Sequence, residues 1–231
     1  MVPGPLTYNQ DGLATEANAD FLSDPRFQEA HRLGAETGSW GDPQIQWRVY
    51  VVCWAADKAS RLEGDFVECG VYRGGFARAA MHFVDFPKLD KTFYLFDTFR
   101  GLEDKLVSDA ERKRGIPHAY KHYTYEGCYE AVSKTFEGMR VVIVRGVVPE
   151  TLSEVKAEKV SFLSIDMNCA APEIAAAEYF WDRMVSGGVI VVDDYGRERH
   201  YEQKVAFDRF AARKGVMVLG LPTSQGLIFK P

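Results

Sequence analysis

Cysteine is scarce: Cys53, Cys69, Cys128 and Cys169 lie far apart, with no CxxC pair among them. That spacing speaks against a thiolate zinc site and against a disulfide framework, and a reducing cytoplasm is the compartment that fits. There is no long basic run, and the formal net charge is -5. Neither nucleic acid nor an anionic membrane is therefore expected as the main partner. No apolar stretch approaches the roughly 20 residues that cross a bilayer. The opening MVPGPLTYNQDG has no basic n-region and no apolar core, so no secretory signal is expected. Internal repeats and low-complexity tracts are also missing. What remains is an ordinary globular chain of 231 residues, 46% hydrophobic, enough for one large domain or a domain with a short extension.

Residues 1–22 read as a loose lead-in. In SDPRFQEAHRLGAETG, Asp24 is a helix cap and Pro25 a first-turn residue. DPQIQWRVYVVCWAADKASRLEG repeats that start at Asp42-Pro43 and stops at Gly64; apolar on most sides, it predicts a buried helix. Residues 1–63 thus form a helical extension or cap, and residues 64–231 the main domain. In the latter, β-rich runs at 65–70, 92–97, 140–146, 160–166 and 187–195 alternate with helical stretches near 75–86, 125–137, 171–186 and 197–214. Such alternation predicts an α/β fold, a mostly parallel sheet with helices on both faces. GVMVLGLP and GLIFKP are separated by only a few residues, so the last strand should run antiparallel to its neighbour.

Ligands of such sheets sit outside the carboxyl ends of the strands. Four of the five parallel strands end in acid: Glu68, Asp97, Asp166 and the pair Asp193-Asp194. Any one could merely cap a helix. Four on one edge suggest a site, and adjacent aspartates repel unless a cation or a pKa shift relieves them. The turn in GDFVECGVYRGGFARAA has spacing G-x-x-x-G-G, which is neither the dinucleotide pattern nor a P-loop. A turn with no phosphate cradle suits a nucleoside lacking phosphates, such as S-adenosylmethionine (SAM). Asp97 is placed to accept from ribose hydroxyls, a role that would serve SAM or NAD alike.

FVECGVYRGGFARAA, LFDTFRGLED, FLSIDMNCAAPEIAAAEYFWDRMVSGGVIVVDDYG and QKVAFDRF, in that order, resemble the macrocin O-methyltransferase (TylF-type) family, over about residues 40–231. The resemblance implies a Rossmann-like class I methyltransferase fold, with a seven-stranded sheet and an antiparallel last strand. It implies SAM as cofactor and a small-molecule acceptor, a sugar or another vicinal diol. It puts Glu68, Gly70, Tyr72, Arg73 and Gly74 around the methionine part of SAM, Asp97 on the ribose, and Thr98 and Phe99 near the adenosine. It further implies a divalent metal, usually magnesium, on Asp166, Asp193 and Asp194. Magnesium takes about six oxygen ligands, so three carboxylates leave room for two substrate hydroxyls. Bound metal lowers a hydroxyl's pKa.

One position departs from the family. Where members commonly read L-D-G-D, with the second aspartate proposed as general base, this chain reads IDMN. Asn168 can orient a hydroxyl but cannot take its proton. Three explanations stay open: the metal acidifies the hydroxyl enough for water to serve; another base acts, with His200 the first candidate; or the protein binds SAM without transferring methyl. His200 in RERHYEQ can equally be a solvated helix residue. A more distant alternative is an NAD-dependent oxidoreductase.

The long connection Arg100–Gly127 reads as a lid. It carries His118, Tyr120, His122, Tyr123 and Tyr125, of which at most two are expected to touch substrate. The apolar helix at 43–63 suits either a cleft wall or a homo-oligomer contact, and Trp181 suits the core.

Overall fold

The computed structural model describes residues 4–42 and 44–231. Within the lead-in expected to be loose, the described residues 4–22 are ordered. Strands β1 (Tyr8–Gln10) and β2 (Leu13–Thr15) pair as an antiparallel hairpin. Its turn residues, Asp11 and Gly12, have φ of 54° and 78°. Both being positive is what a two-residue hairpin turn demands, and Asp-Gly supplies it.

Helix α1 (Pro25–Ala35) starts as expected: the Asp24 carboxylate accepts from the Arg26 N–H at 2.9 Å, and Pro25 takes the first turn. Helix α2 (Gln46–Ser60) starts later than Asp42-Pro43 predicts, behind Ile45, which provides no side-chain cap. Asp42 precedes this helix and Pro43 lies outside the described residues. As expected, α2 is buried on most sides, through Val49, Val51, Val52, Cys53, Ala55, Ala56 and Ala59.

The alternation then runs β3 (Asp65–Cys69), α3 (Gly75–Phe83), β4 (Phe93–Asp97), α4 (Asp109–Lys113), α5 (Ile116–Ala119), α6 (Cys128–Thr135), β5 (Val141–Arg145), β6 (Val160–Ile165), α7 (Ala170–Trp181), β7 (Met184–Val192), α8 (Tyr201–Lys214), β8 (Leu219–Gly220) and β9 (Gly226–Phe229). Seven strands form one sheet in the order β5-β4-β3-β6-β7-β9-β8. Strands β3 to β7 are parallel, and β9 runs antiparallel to both β7 and β8. The α7–β7 boundary differs from expectation: the helix stops at Trp181, and the strand spans 184–192 rather than 187–195. Asp193 and Asp194 therefore follow β7 rather than end it.

The central strands are apolar on both faces because helices cover both. On one face Phe66 and Phe162 meet at 5.1 Å between ring centres, in a cluster shared with Phe27 of α1 and Val49 of α2. The extension 4–63 and the sheet thus share one core. On the other face Phe96 meets Phe180 of α7 at 6.0 Å, and Trp181 meets Phe210 of α8 edge-on at 5.4 Å, the core position expected for it. The chain moves outward from β3 through β4 to β5, then returns to β6. The crevice between the carboxyl ends of β3 and β6 is the topological switch point, where sheets of this kind bind ligands.

Candidate active site

A cavity of about 670 Å³ opens at that edge. On the β3–β4 side Glu68, Gly70, Tyr72, Asp97 and Thr98 line it; on the β6–β7 side Asp166, Asn168, Asp193, Asp194 and His200 do. Three expected cofactor contacts stand back from it. Arg73 lies over the Tyr72 ring and donates to the Thr124 carbonyl at 3.4 Å. Gly74 opens α3 with φ 84°, and a Cβ there would come within 2.7 Å of the Phe136 ring. Phe99 is buried against Tyr129, ring centres 5.4 Å apart. These three shape the turn and its support rather than the cavity surface.

Gly70 has φ 92°, and a Cβ on it would sit 1.9 Å from the Asp166 carbonyl oxygen. Only glycine lets the two strand ends come this close. Asp97 grips the same turn. Its Oδ2 accepts from the Val71 and Tyr72 N–H groups at 2.7 and 2.8 Å, and its Oδ1 from Phe99 N–H at 2.6 Å. A carboxylate offers about four acceptor sites, so one is left open toward the cavity. Glu68 is buried with its Oε2 unpartnered. Burial, then the charges of Asp97 and Asp193, hold its carboxyl well above the usual range.

Asp166, Asp193 and Asp194 each turn a ligand oxygen to within 4.8 Å of the others. Burial and the two neighbouring charges push the Asp166 carboxyl well up. Asp193 is also raised by burial, with Arg48 opposing. Three carboxylates this close, two of them buried and Asp166 half-buried at the cavity wall, are hard oxygen donors that a small divalent ion would suit.

Four residues around them escaped the sequence reading. Arg48 Nη1 donates to Asp193 Oδ2 at 2.6 Å, and Gln225 Nε2 to Asp193 Oδ1 at 3.1 Å. Arg197 Nε lies 3.4 Å from Asp194 Oδ1. Asp11 bridges both arginines. Two signals were present: the Asp11-Gly12 hairpin turn, and Arg48 as a lone charge in the apolar run QWRVYVVCWAA.

His200 is buried, 5% exposed, which overturns the solvated-helix alternative. Its Nε2 lies 3.3 Å from Asp194 Oδ2 and 2.9 Å from the Tyr120 hydroxyl. Burial lowers its pKa, favouring the neutral ring. Asn168 sits at φ 62°, a left-handed conformation that asparagine tolerates better than most residues. Behind it, buried Glu173 accepts from Met167 N–H at 3.0 Å and from the Gln203 amide, and burial pushes its carboxyl up to about 8.

The connection 100–127 is not structureless. It folds through α4 and α5, and its Tyr120, Tyr123 and Tyr125 line the cavity, whereas His118 and His122 do not. Tyr72 packs edge-on against Tyr123 and Tyr125 at 5.1 and 5.6 Å, extending this aromatic wall onto the glycine turn. Glu111 fastens the segment. Its Oε2 accepts from Ser108 N–H at 2.8 Å, and its Oε1 from Ala170 N–H at 2.7 Å, the first residue of α7.

The sheet order, with β9 antiparallel between β7 and β8, is that of the Rossmann-like class I methyltransferase fold. The chain belongs to the macrocin O-methyltransferase (TylF) family, whose sequence model matches residues 49–218, and it is a SAM-dependent O-methyltransferase. The nicotinamide alternative falls with that membership. None of the curated proteins matches the chain. Among solved structures, the O-methyltransferase NovP is similar at 18% identity and TM-score 0.69, over 88% of each chain. The calicheamicin methyltransferase CalS11 is 18% identical with TM-score 0.63, over 93% of this chain and 98% of that one. The Podospora anserina methyltransferase PaMTH1, solved with S-adenosylhomocysteine (SAH) bound, is 15% identical with TM-score 0.52, over 90% and 88%. At these identities the likeness shows the fold. Among the described residues no helix is long and apolar enough to cross a membrane.

Proposed function

We propose that the acceptor is a sugar, or another small molecule with neighbouring hydroxyls, and that Asp166, Asp193 and Asp194 hold a divalent cation, magnesium first. The observation carrying this reading is the set of three carboxylate oxygens within 4.8 Å of one another, in the same cavity as the glycine turn. The aromatic and polar wall of Tyr72, Tyr120, Tyr123 and Tyr125 suits a hydroxylated ring. CalS11, similar in fold at 14% identity and TM-score 0.53 in its apo form, is described as a TDP-rhamnose 3'-O-methyltransferase.

In this reading Glu68, Gly70, Tyr72, Asp97 and Thr98 bind SAM, and Asp97 turns its spare lone pair to the ribose. Residues 1–63 act as a cap through Ser39, Trp40 and Arg48, which border the cavity. A divalent cation, when bound, supplies acidification of the acceptor hydroxyl. Asn168 orients that hydroxyl. His200, neutral, takes the proton at Nε2 through Tyr120, whose hydroxyl gives its own proton to Nε2 as it receives that of the acceptor. The rest of the work is alignment of oxygen, methyl and sulfur, a large share of such a barrier.

Calorimetry with SAH and Mg²⁺ tests this. Wild type should bind both, Asp97→Ala should lose most SAH affinity, and Asp193→Ala should lose the magnesium heat. No magnesium heat in wild type would sink the metal assignment.

A further inference from the structure

We infer that Asp11, in the turn of the N-terminal hairpin, is a positioning residue for the Asp193-Asp194 pair, acting through Arg48 and Arg197 to keep both carboxylates available to a cation. This rests on the metal reading above. The hairpin lies outside the stretch that the family model matches, 49–218.

The geometry is a fork held by one edge. Arg48 presents Nε to Asp11 Oδ2 at 2.6 Å and Nη2 to Asp11 Oδ1 at 3.1 Å. This two-pronged contact is the strongest pairing a guanidinium makes. Only Nη1 is left for the site, at 2.6 Å from Asp193 Oδ2 and 3.7 Å from Asp194 Oδ1. Arg197 is divided in the same way, with Nη2 2.7 Å from Asp11 Oδ1 and Nε 3.4 Å from Asp194 Oδ1. With Asp11 gone, the Nε–Nη2 edge of Arg48 would be free to turn onto Asp193 or Asp194. A two-pronged pairing there would occupy the lone pairs that a cation needs.

The charge count points the same way. Asp11, Asp166, Asp193 and Asp194 face Arg48 and Arg197, a formal balance of minus two that one divalent ion neutralises. Loss of Asp11 would leave minus one. The fold holds Asp11 in place: Tyr8 of β1 is buried edge-on against Trp47 of α2 at 5.3 Å, one residue from Arg48. Hairpin and arginine are thereby docked as one unit.

The test is calorimetric titration of Mg²⁺, with Mn²⁺ as a paramagnetic probe, into wild type, Asp11→Asn, Tyr8→Ala and Asp11→Asn combined with Arg48→Gln. SAH affinity certifies the fold of each, and Asp11→Ser is carried in parallel as a second replacement. Asp11→Asn should weaken cation binding about tenfold, the range for residues that orient ligands, with SAH affinity unchanged. Adding Arg48→Gln should restore most of the loss, because the competing guanidinium is gone. Tyr8→Ala, which loosens the hairpin but keeps the carboxylate, should weaken the cation less than Asp11→Asn. Unchanged cation affinity in Asp11→Asn, or a loss that Arg48→Gln does not relieve, would overturn the inference. Wild type that binds neither cation would overturn the metal reading itself, and this inference with it.

Discussion

Asp97 holds three backbone N–H groups of its own protein while bordering the cavity. Asp97→Ala should therefore cost stability as well as SAH affinity. Orphaning buried donors costs about 1–3 kcal/mol, so a lower melting temperature without ligand should accompany the binding loss. Its place on the cavity was legible, because an acid at a strand end needs no coordinates to be noticed. Its grip on Val71 and Tyr72 was not, since that depends on how the turn folds back. Glu173 gives a pH prediction. Its folded pKa, about 8, lies above the ordinary glutamate value. Between the two the folded state keeps a proton that the unfolded chain has released, so stability falls as pH rises through that interval. Glu173→Gln should flatten that slope, seen as melting temperatures that change less with pH than those of wild type.

Elements that escaped the sequence reading did so for different reasons. Both the Asp11-Gly12 turn and the Ser108-x-x-Glu111 capping box are short patterns legible in the chain. Long polar stretches simply discouraged reading them. The partners of Arg48, in contrast, come from residues 11 and 193, and no local pattern joins those. Glu111 links two elements, closing its own helix start and taking the first N–H of α7. Glu111→Ala should loosen the 100–127 segment: faster hydrogen exchange at 108–125, a several-fold higher KM for the acceptor, and little change in SAH affinity. A cap lost at α7 should cost about 0.5–2 kcal/mol. Equal losses for acceptor and SAH would contradict this assignment of Glu111 to the 100–127 segment.

At the scale of the whole molecule, the strand–helix alternation and the closing hairpin carried the architecture, because burial on both faces leaves continuous apolar runs that cannot be mistaken for surface. Less visible was the sharing of one core by the extension and the sheet, through Phe27, Val49, Phe66 and Phe162. The chain should melt in a single calorimetric transition, and residues 64–231 alone should fail to give a cooperative one. SAH at one hundred times its dissociation constant should add about 2.7 kcal/mol to the stability of the whole chain.

At Gly70 the glycine turn and the Asp166 backbone touch without an intervening side chain. Whatever loads the turn also sets where the Asp166 loop can rest, so occupancy on one side alters affinity on the other, reciprocally. In calorimetry this predicts that SAH and Mg²⁺ change each other's affinity by the same factor, whichever is titrated into the protein already loaded with the other.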